Sequence, residues 1–320
     1  MSRSPRDSDE IVYPSADRRT EAIIMAFGGS HARAAHAINR KGASNAELLL
    51  AVRRAGGGFA SAALLTRSPG KTAMLVVAPA QTSADREAGA RLIRTAISCA
   101  GQLNAALVQA LVEPAKTDEL TMFASGGMSQ IGVLSYLERR PFRGPDPSSD
   151  LPPAGVCVRP WREDERETLE RLLDATYIDS LDCPGLAQMR CTEDILDGHL
   201  QTGVFDPNSW SILERNGTPC GLSLMSEIPT SNCVELVYFG LAPEARGRGL
   251  GGYLLDTSLC LVQTKRDRTI ALACDERNQP AMRLYRSRGF VERLRRVALV
   301  ARVERSPDPD PTTCPRSVDN

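Results

Sequence analysis

The sequence has no excess of either charge, because 39 Lys and Arg residues stand against 39 Asp and Glu residues. Without a basic surplus there is no electrostatic footprint for a nucleic acid or an anionic membrane, so neither is predicted as a partner. No apolar run approaches the roughly 20 residues that a membrane-spanning helix needs. The N-terminus is polar rather than signal-like, so we expect a cytoplasmic protein.

Metal-binding and disulfide patterns are also missing. The three histidines, His31, His36 and His199, are too scattered to suggest a ligand set, so no metal is expected. The nine cysteines include no Cys-x-x-Cys pair. Together with the lack of a secretory signal, this favours reduced thiols over a disulfide framework.

What is present fits a two-domain globular chain of 320 residues. Residues 1–18 and 306–320 are rich in Pro, Asp and Ser, which predicts disorder at both ends. A Pro-rich stretch at 141–153 predicts a linker. The predicted domains are therefore 19–140 and 154–305.

The most informative stretch is an apolar strand that passes through a glycine-rich turn into a helix. The predicted strand is 234–241, and Pro243 ends it. Arg-Gly-Arg-Gly-Leu-Gly-Gly follows at 246–252, and apolar residues from Tyr253 onward predict a helix. Free N–H groups, the positive helix end and two arginines together predict a site for a phosphate-bearing ligand.

This turn is neither a dinucleotide fingerprint nor a P-loop, because the glycine placement and the Gly-Lys-Ser/Thr element differ. Its Arg-x-x-Gly-x-Gly pattern, at Arg246, Gly249 and Gly251, resembles the pyrophosphate motif of the GNAT superfamily of acyl-CoA-dependent N-acyltransferases. Downstream, a predicted strand at 269–274 precedes Asn-x-x-Ala-x-x-Leu-Tyr-x-x-x-Gly-Phe, which begins at Asn278. This second motif resembles the other cofactor motif of the superfamily, and the two stand in the expected order.

The N-terminal half contains a weak repeat of the same pattern. Ala78-Pro79 mirrors Ala242-Pro243, and aligning them sets Asp85 opposite Gly249 and Glu87 opposite Gly251. Carboxylates at those positions would repel a pyrophosphate. A parallel alignment sets Phe123 opposite Tyr285, without the hydroxyl. We therefore interpret this half as a degenerate copy that has lost cofactor binding; an unrelated α/β domain is the alternative.

The resemblance implies an α/β fold of two tandem GNAT-like acyl-CoA N-acyltransferase domains, each a mixed, mostly antiparallel sheet flanked by helices. The tandem arrangement resembles that of the mycothiol synthase family. It further implies that acetyl-CoA is bound as the acyl donor. The implied cofactor-binding residues are Phe239, Gly240, Leu241, Arg246, Gly247, Arg248, Gly249, Leu250, Gly251, Gly252 and Asn278.

Two residues are candidates for catalysis. Glu235 resembles in strand and spacing the general base of the superfamily's histone acetyltransferases, and a charge in so apolar a strand is otherwise explained only by a wet strand end. Simple alternation would place Glu235, Val237 and Phe239 on one face of the strand. Glu227 and Asp182 are the reserve bases. Tyr285 matches the motif position of the general acid that protonates the leaving thiolate.

The predicted function is acetyl transfer to a primary amine, with a small molecule as the expected acceptor. Two alternatives stay open: a protein N-terminal or lysine acetyltransferase, and a non-catalytic acyl-CoA sensor, which would need neither Glu235 nor Tyr285. Either a monomer or a homodimer is compatible with the sequence.

Overall fold

The computed structural model describes residues 10–39, 47–54, 56–140, 152–186, 189–262 and 268–304. Most of the predicted linker and the predicted C-terminal tail lie outside these residues, as do residues 1–9. The described chain divides into two compact units. The first contains the residues up to Ile131 and those from Val297 onward, and the second is Gly132–Arg296.

The first unit is an α/β layer with helices packed on a sheet. Its elements are β1 (Ile11–Val12), α1 (Arg19–Ala26), α2 (His31–Asn39), β2 (Glu47–Arg53), β3 (Phe59–Ser68), β4 (Thr72–Val77), α3 (Ser83–Cys99), β5 (Leu107–Val112) and α4 (Thr117–Ser125). The strands β1 to β5 lie in sequence order, and the end of the last strand of the chain follows β5. Among the pairs of described strands in this unit, β4–β5 is parallel and the others are antiparallel.

The second unit has the same kind of architecture. Its elements are β6 (Ser129–Arg139), β7 (Val156–Pro160), α5 (Arg166–Tyr177), α6 (Thr192–Leu200), β8 (Trp210–Arg215), β9 (Thr218–Ile228), β10 (Cys233–Leu241), α7 (Leu250–Val262), β11 (Thr269–Asp275), α8 (Gln279–Ser287) and β12 (Val291–Arg302). The sheet order is β7-β8-β9-β10-β11-β6, and the first part of β12 lies beside β6. Among the described pairs, β10 and β11 run parallel, whereas β10–β9, β11–β6, β7–β8 and β8–β9 are antiparallel.

The two faces of this second sheet are covered by different helices. On one face α7 and α8 pack over Val234, Leu236 and Leu272. On the other face α5 and α6 pack over Trp210, Leu222 and their neighbours, which include Tyr238. We refer to these as the α7/α8 face and the α5/α6 face. The predicted hairpin at Asn216-Gly217 is confirmed, since both residues have positive φ and β8 pairs antiparallel with β9.

The compact units differ from the predicted domains in two segments. Strand β6, which the sequence analysis placed in the N-terminal domain, pairs along its length with β11 from Ile270↔Arg139 to Asp275↔Leu134. Conversely, Val297–Arg302 of β12 pairs with β5. Strand pairing with distant partners satisfies these backbone groups, and local sequence patterns do not reveal it.

Residues 10–18 differ from the expectation of disorder. Here β1 pairs with β2, Val12 is buried, and the Arg18 guanidinium lies 4.2 Å from the centre of the Phe59 ring. The expectation of reduced thiols also fails at one position. Cys99 is disulfide-bonded, whereas the other seven cysteines of the described residues are free.

Candidate active site

The turn between β10 and α7 has the form of an anion-binding loop. A short 3-10 turn at Pro243–Ala245 follows β10, and α7 begins at Leu250. Gly247 and Gly249 have φ of +69° and +77°, values that favour glycine. Five successive backbone N–H groups, those of residues 247–251, have no acceptor among the described residues. Free N–H groups at a helix N-terminus attract a phosphate.

The glycines at the start of α7 have separate roles in packing. A Cβ on Gly252 would lie 2.6 Å from the Arg288 Nη2 atom, which is ion-paired with Asp256. The N–H of Gly252 donates to the Gly249 carbonyl, and that of Arg246 donates to the Pro243 carbonyl. The N–H groups without an acceptor among the described residues are therefore those of residues 247–251, a smaller set than the predicted range of 246–252. A Cβ on Gly251 would make only ordinary van der Waals contacts, so packing does not require glycine there. The group that Gly251 offers to a ligand is its backbone N–H.

The side chain of Arg246 makes its hydrogen bonds to backbone carbonyls of the protein. Its guanidinium donates to four carbonyl oxygens: Leu241 (3.0 Å), Thr176 (3.0 Å), Ile178 (2.8 Å) and Asp179 (3.3 Å). Three of these belong to the end of α5, where carbonyls have no partner within the helix. The Arg246 guanidinium is thus occupied by backbone carbonyls in the described chain, and its predicted place beside the pyrophosphate stays a prediction.

Arg248 is the arginine that stays available. It is exposed, and its one hydrogen bond among the described residues runs from Nε to the Glu244 carbonyl at 2.9 Å. Its two Nη atoms have no partner there. Of the two arginines in the turn, this one can contact a bound phosphate.

Strands β10 and β11 separate after a short parallel ladder. They pair only from Cys233↔Thr269 to Glu235↔Ala271, although β10 continues to Leu241. The Ala242 N–H donates to Cys220 in β9, so alternation turns the N–H groups of Leu241 and Phe239 away from β9. These groups face the gap and can pair with an extended ligand as an added strand would.

A bulge interrupts β10, but not at the predicted residue. The register against β9 shifts between Leu236 and Tyr238, which leaves Val237 as the extra residue, whereas Gly240 pairs regularly with Leu222. Because a bulge resets alternation, Phe239 joins the α7/α8 face with Leu236. The prediction that Glu235 and Phe239 share a face is wrong. Gly240 is needed instead for packing, since a Cβ there would lie 2.9 Å from Thr176 Cβ.

Glu235 is a largely buried carboxylate without a partner. By alternation with Val234 and Leu236 it points to the α5/α6 face. No described residue hydrogen-bonds or ion-pairs with it, and burial raises the pKa of its carboxyl. A raised pKa makes a carboxylate a better proton acceptor, which suits a general base.

Tyr285 lies in the core of the α7/α8 face. Its ring packs edge-on against Phe239 (centroids 6.3 Å apart) and Phe290 (5.9 Å apart). Burial first, and then nearby negative charge, raises the pKa of Tyr285 well above its usual value, so the phenol keeps its proton. Its hydroxyl makes no hydrogen bond to the described part of the chain. Base and acid candidates therefore lie on opposite faces where the strands diverge.

Asn278 caps α8, as its sequence position predicts. Its Oδ1 accepts from the Ala281 N–H at 3.3 Å. The Nδ2 donors of Asn278 have no acceptor in the residues described, so the cap leaves them free for a ligand. Capping of α8 through Oδ1 and ligand binding through Nδ2 are therefore compatible.

The reserve bases are both engaged. Glu227 is ion-paired with Arg268. Asp182 Oδ1 accepts from the Asp275 N–H at 2.7 Å, and fully buried Asp275 is bound in turn by Arg277 at 2.6 Å. Burial acts to raise the pKa of Asp275, but the hydrogen bonds from Arg277 hold it below its usual value. This buried carboxylate was missed, because only its position three residues before Asn278 hints at a role.

The corresponding helix start in the first unit is closed by its own side chains. Thr82 caps α3, and Asp85 Oδ2 accepts from the Thr82 N–H at 2.9 Å in a capping box. A carboxylate thus occupies the position where the second unit has free N–H groups. The Phe123 ring is buried in α4 and has no hydroxyl to offer.

The described residues contain no group of three or more His, Cys, Asp or Glu side chains placed to hold a metal ion. In the same part of the chain, no helix combines the length and apolarity that crossing a bilayer requires.

Comparison with known proteins agrees with this geometry. Residues 170–290 match the Acetyltransferase (GNAT) family, a range that contains the loop, Glu235 and Tyr285. This match lies within the C-terminal half of the chain. A GCN5-related N-acetyltransferase from Sphaerobacter thermophilus, at 18% identity, covers 92% of this chain and 96% of its own with a TM-score of 0.62. A tandem GNAT protein from the clavulanic acid biosynthesis pathway, also at 18% identity, covers 93% and 99% with a TM-score of 0.50. The tandem GNAT-like fold is thereby confirmed.

Curated relatives match about half of the chain in sequence. A mycothiol acetyltransferase of Streptomyces bingchenggensis is 29% identical over 185 residues, which is 53% of this chain and 59% of the relative. One from Thermobispora bispora is 31% identical over 172 residues, or 52% and 56%. The chain therefore spans less than two thirds of the relatives it matches.

Proposed function

We propose that the chain transfers an acetyl group from acetyl-CoA to a primary amine, and that the second unit carries the reaction. The observation that carries the proposal is the placement of two unpartnered groups, Glu235 and Tyr285, on opposite faces of strands that separate beside an open loop of N–H groups. The GNAT match and the relatives' names support acetyl transfer. A small-molecule acceptor is the finer part of the proposal.

The donor is held along the gap and the loop. The N–H groups of residues 247–251 take the pyrophosphate, with Arg248 as the charged contact. The freed backbone of Phe239 and Leu241 pairs with the extended arm of the donor, and an N–H there stabilises the oxyanion of the thioester. Gly240 contributes by allowing close packing of the strand on α5. Asn278 Nδ2 supplies a further donor.

The reaction is a direct displacement. An alkylamine with a pKa of about 10.4 is mostly protonated at neutral pH and must first lose a proton, which Glu235 accepts. The amine nitrogen then bonds to the thioester carbon, and the C–S bond breaks. The leaving sulfur takes the Tyr285 proton. The N-protonated amide gives its extra proton through solvent to the Tyr285 phenolate, and Glu235 releases the proton it accepted to bulk solvent, which restores both groups.

The first unit is proposed to bind no cofactor, because the Asp85 carboxylate occupies the position that a phosphate would need. Its role, the oligomeric state and the cytoplasmic location stay predictions.

The test is a panel of primary amines with acetyl-CoA, read as free thiol release and as N-acetyl product by mass spectrometry. The proposal predicts stoichiometric thiol and product with at least one small amine. Acetyl-CoA binding without transfer to any panel member would contradict it and favour an acyl-CoA sensor. Transfer confined to peptide N-termini or lysines would favour a protein acetyltransferase.

A further inference from the structure

A shallow trough of small side chains lies beside Glu235 on the α5/α6 face of the second sheet. Strand pairing sets Glu235 opposite Ala271 in β11 and Ala271 opposite Glu138 in β6. In the next row on the same face, Ala273 stands opposite Tyr136. Neighbouring strands are about 4.8 Å apart, so Glu235 and the β6 side chains flank a trough roughly 10 Å wide, with two alanines as its floor.

The trough is open where the rest of this face is covered. Helices α5 and α6 pack over β8, β9 and Tyr238 of β10. By contrast, Ala273 is exposed and Ala271 is partly exposed, so nothing in the described chain fills the space above them. The opposite side chains of β11, Leu272 and Cys274, are buried under α7 and α8. The sheet is thus covered on one face and accessible on the other at this point.

The far wall carries a polar group without a partner. The Tyr136 side chain is partly buried, and its hydroxyl makes no hydrogen bond to any described residue. Strand pairing sets Tyr136 and Glu235 on opposite sides of the alanines. Burial chiefly, and the Glu235 carboxylate next, raise the pKa of Tyr136, while Arg296 acts to lower it. Glu138 beside it is ion-paired with Arg293 at 3.0 Å. Among the described carboxylates that border the alanines, Glu235 has no ion pair, and its wall of the trough therefore favours a cation.

We propose that the trough over Ala271 and Ala273 is the acceptor site, that it takes the primary ammonium group of a small molecule, and that Tyr136 is an acceptor-binding residue. Tyr136 comes from the N-terminal half of the chain, through β6. Tyr136 nevertheless belongs to the second unit, so the whole trough lies within that unit. The inference rests on the proposed function and extends it to the acceptor.

The test uses a probe that needs no knowledge of the natural acceptor. The probe is a coenzyme A conjugate in which the sulfur bears a –CH2–CO– bridge, and this bridge carries a 4-aminobutyl amide. Titration calorimetry on the full chain compares the affinity of this conjugate with that of acetyl-CoA. Ala273→Phe fills the trough from an exposed position, so it should weaken the conjugate at least tenfold and change acetyl-CoA affinity less than twofold. Ala115→Phe, at an exposed alanine of the first unit, is the control and should change neither.

Tyr136→Phe keeps the ring and removes the hydroxyl. It should weaken the conjugate about fivefold, the value of one hydrogen bond, and leave acetyl-CoA unchanged. Tyr13→Phe in the first unit is its control. If the conjugate has the same affinity for the Ala273→Phe variant as for wild type, the proposal that the trough is the acceptor site is overturned. An unchanged conjugate affinity in Tyr136→Phe would overturn the role of that hydroxyl. Wild type that fails to bind acetyl-CoA would refute the proposed function itself.

Discussion

The ring of Phe239 meets the ring of Tyr285 edge-on, with centroids 6.3 Å apart and planes at 69°. This contact joins the strand that offers backbone groups to the donor with the helix that carries the proposed acid. It depends on the bulge at Val237, which turns Phe239 to the α7/α8 face. The contact between the two rings sets the position of the Tyr285 phenol, and the first prediction rests on it.

Tyr285→Phe should keep this packing and lose the proton donor. Acetyl-CoA affinity should stay within twofold of wild type, while kcat falls by about 10²–10⁴-fold, the usual contribution of a general acid. Calorimetry and thiol-release kinetics on the active amine check both values. Wild-type turnover in this variant would show that Tyr285 is only a packing residue.

Glu235→Gln should lower kcat/KM and show partial recovery as pH rises, because free amine then forms without a base. In the wild type, kcat/KM should fall on the acid side as pH drops through the raised pKa of Glu235. A pH–rate profile of both proteins from pH 6 to 10 is the measurement. A loss that stays constant across this range would point to a structural lesion instead.

Glu235→Gln should also stabilise the fold at neutral pH. Burial raises the folded-state pKa of this carboxyl above its ordinary value of 4.5, so the folded state binds the proton more tightly than the unfolded state. Stability from Glu235 is therefore full below the unfolded pKa and is lost as pH rises through the folded pKa. Thermal unfolding should show a higher Tm for the variant at pH 7 and equal Tm values near pH 4. A lower Tm at pH 7 would indicate a partner that stabilises the ionised form.

Arg246 and Arg248 should respond in opposite ways to substitution by alanine. Arg246→Ala leaves the α5 carbonyls without their donor, so the free energy of unfolding should fall by about 1–3 kcal/mol. Arg248→Ala removes one exposed contact and should stay within about 0.5 kcal/mol, while acetyl-CoA affinity drops several-fold. Denaturant unfolding and calorimetry separate the two effects. Equal stability of both variants would contradict the capping role of Arg246.

The parts of the fold that could be predicted are those with a local cause. The Asn216-Gly217 hairpin follows from two residues that accept positive φ, and the loop before α7 follows from Gly247 and Gly249. The GNAT match to residues 170–290 agrees with motifs that lie close together in sequence.

The parts that could not be predicted depend on distant partners. Arg246 donates to Ile178, 68 residues away, and its sequence neighbours do not reveal this hydrogen bond. Strand β6 pairs with β11, far along the chain, and this places Tyr136 across the two alanines of β11 from Glu235. The bulge at Val237 changes which side chains share a face, and it leaves no mark in the apolar pattern of β10.

The most direct test of the account is titration of the full chain with acetyl-CoA, together with two variants of the loop. We predict one site per chain, because among the described residues the N–H groups of 247–251 are free, whereas the corresponding helix start of the first unit is closed by Asp85. Gly249→Asp should weaken binding at least tenfold more than Gly249→Asn, which has the same shape and a similar tolerance of positive φ but no charge. Two sites per chain, or equal affinity in the two variants, would contradict it.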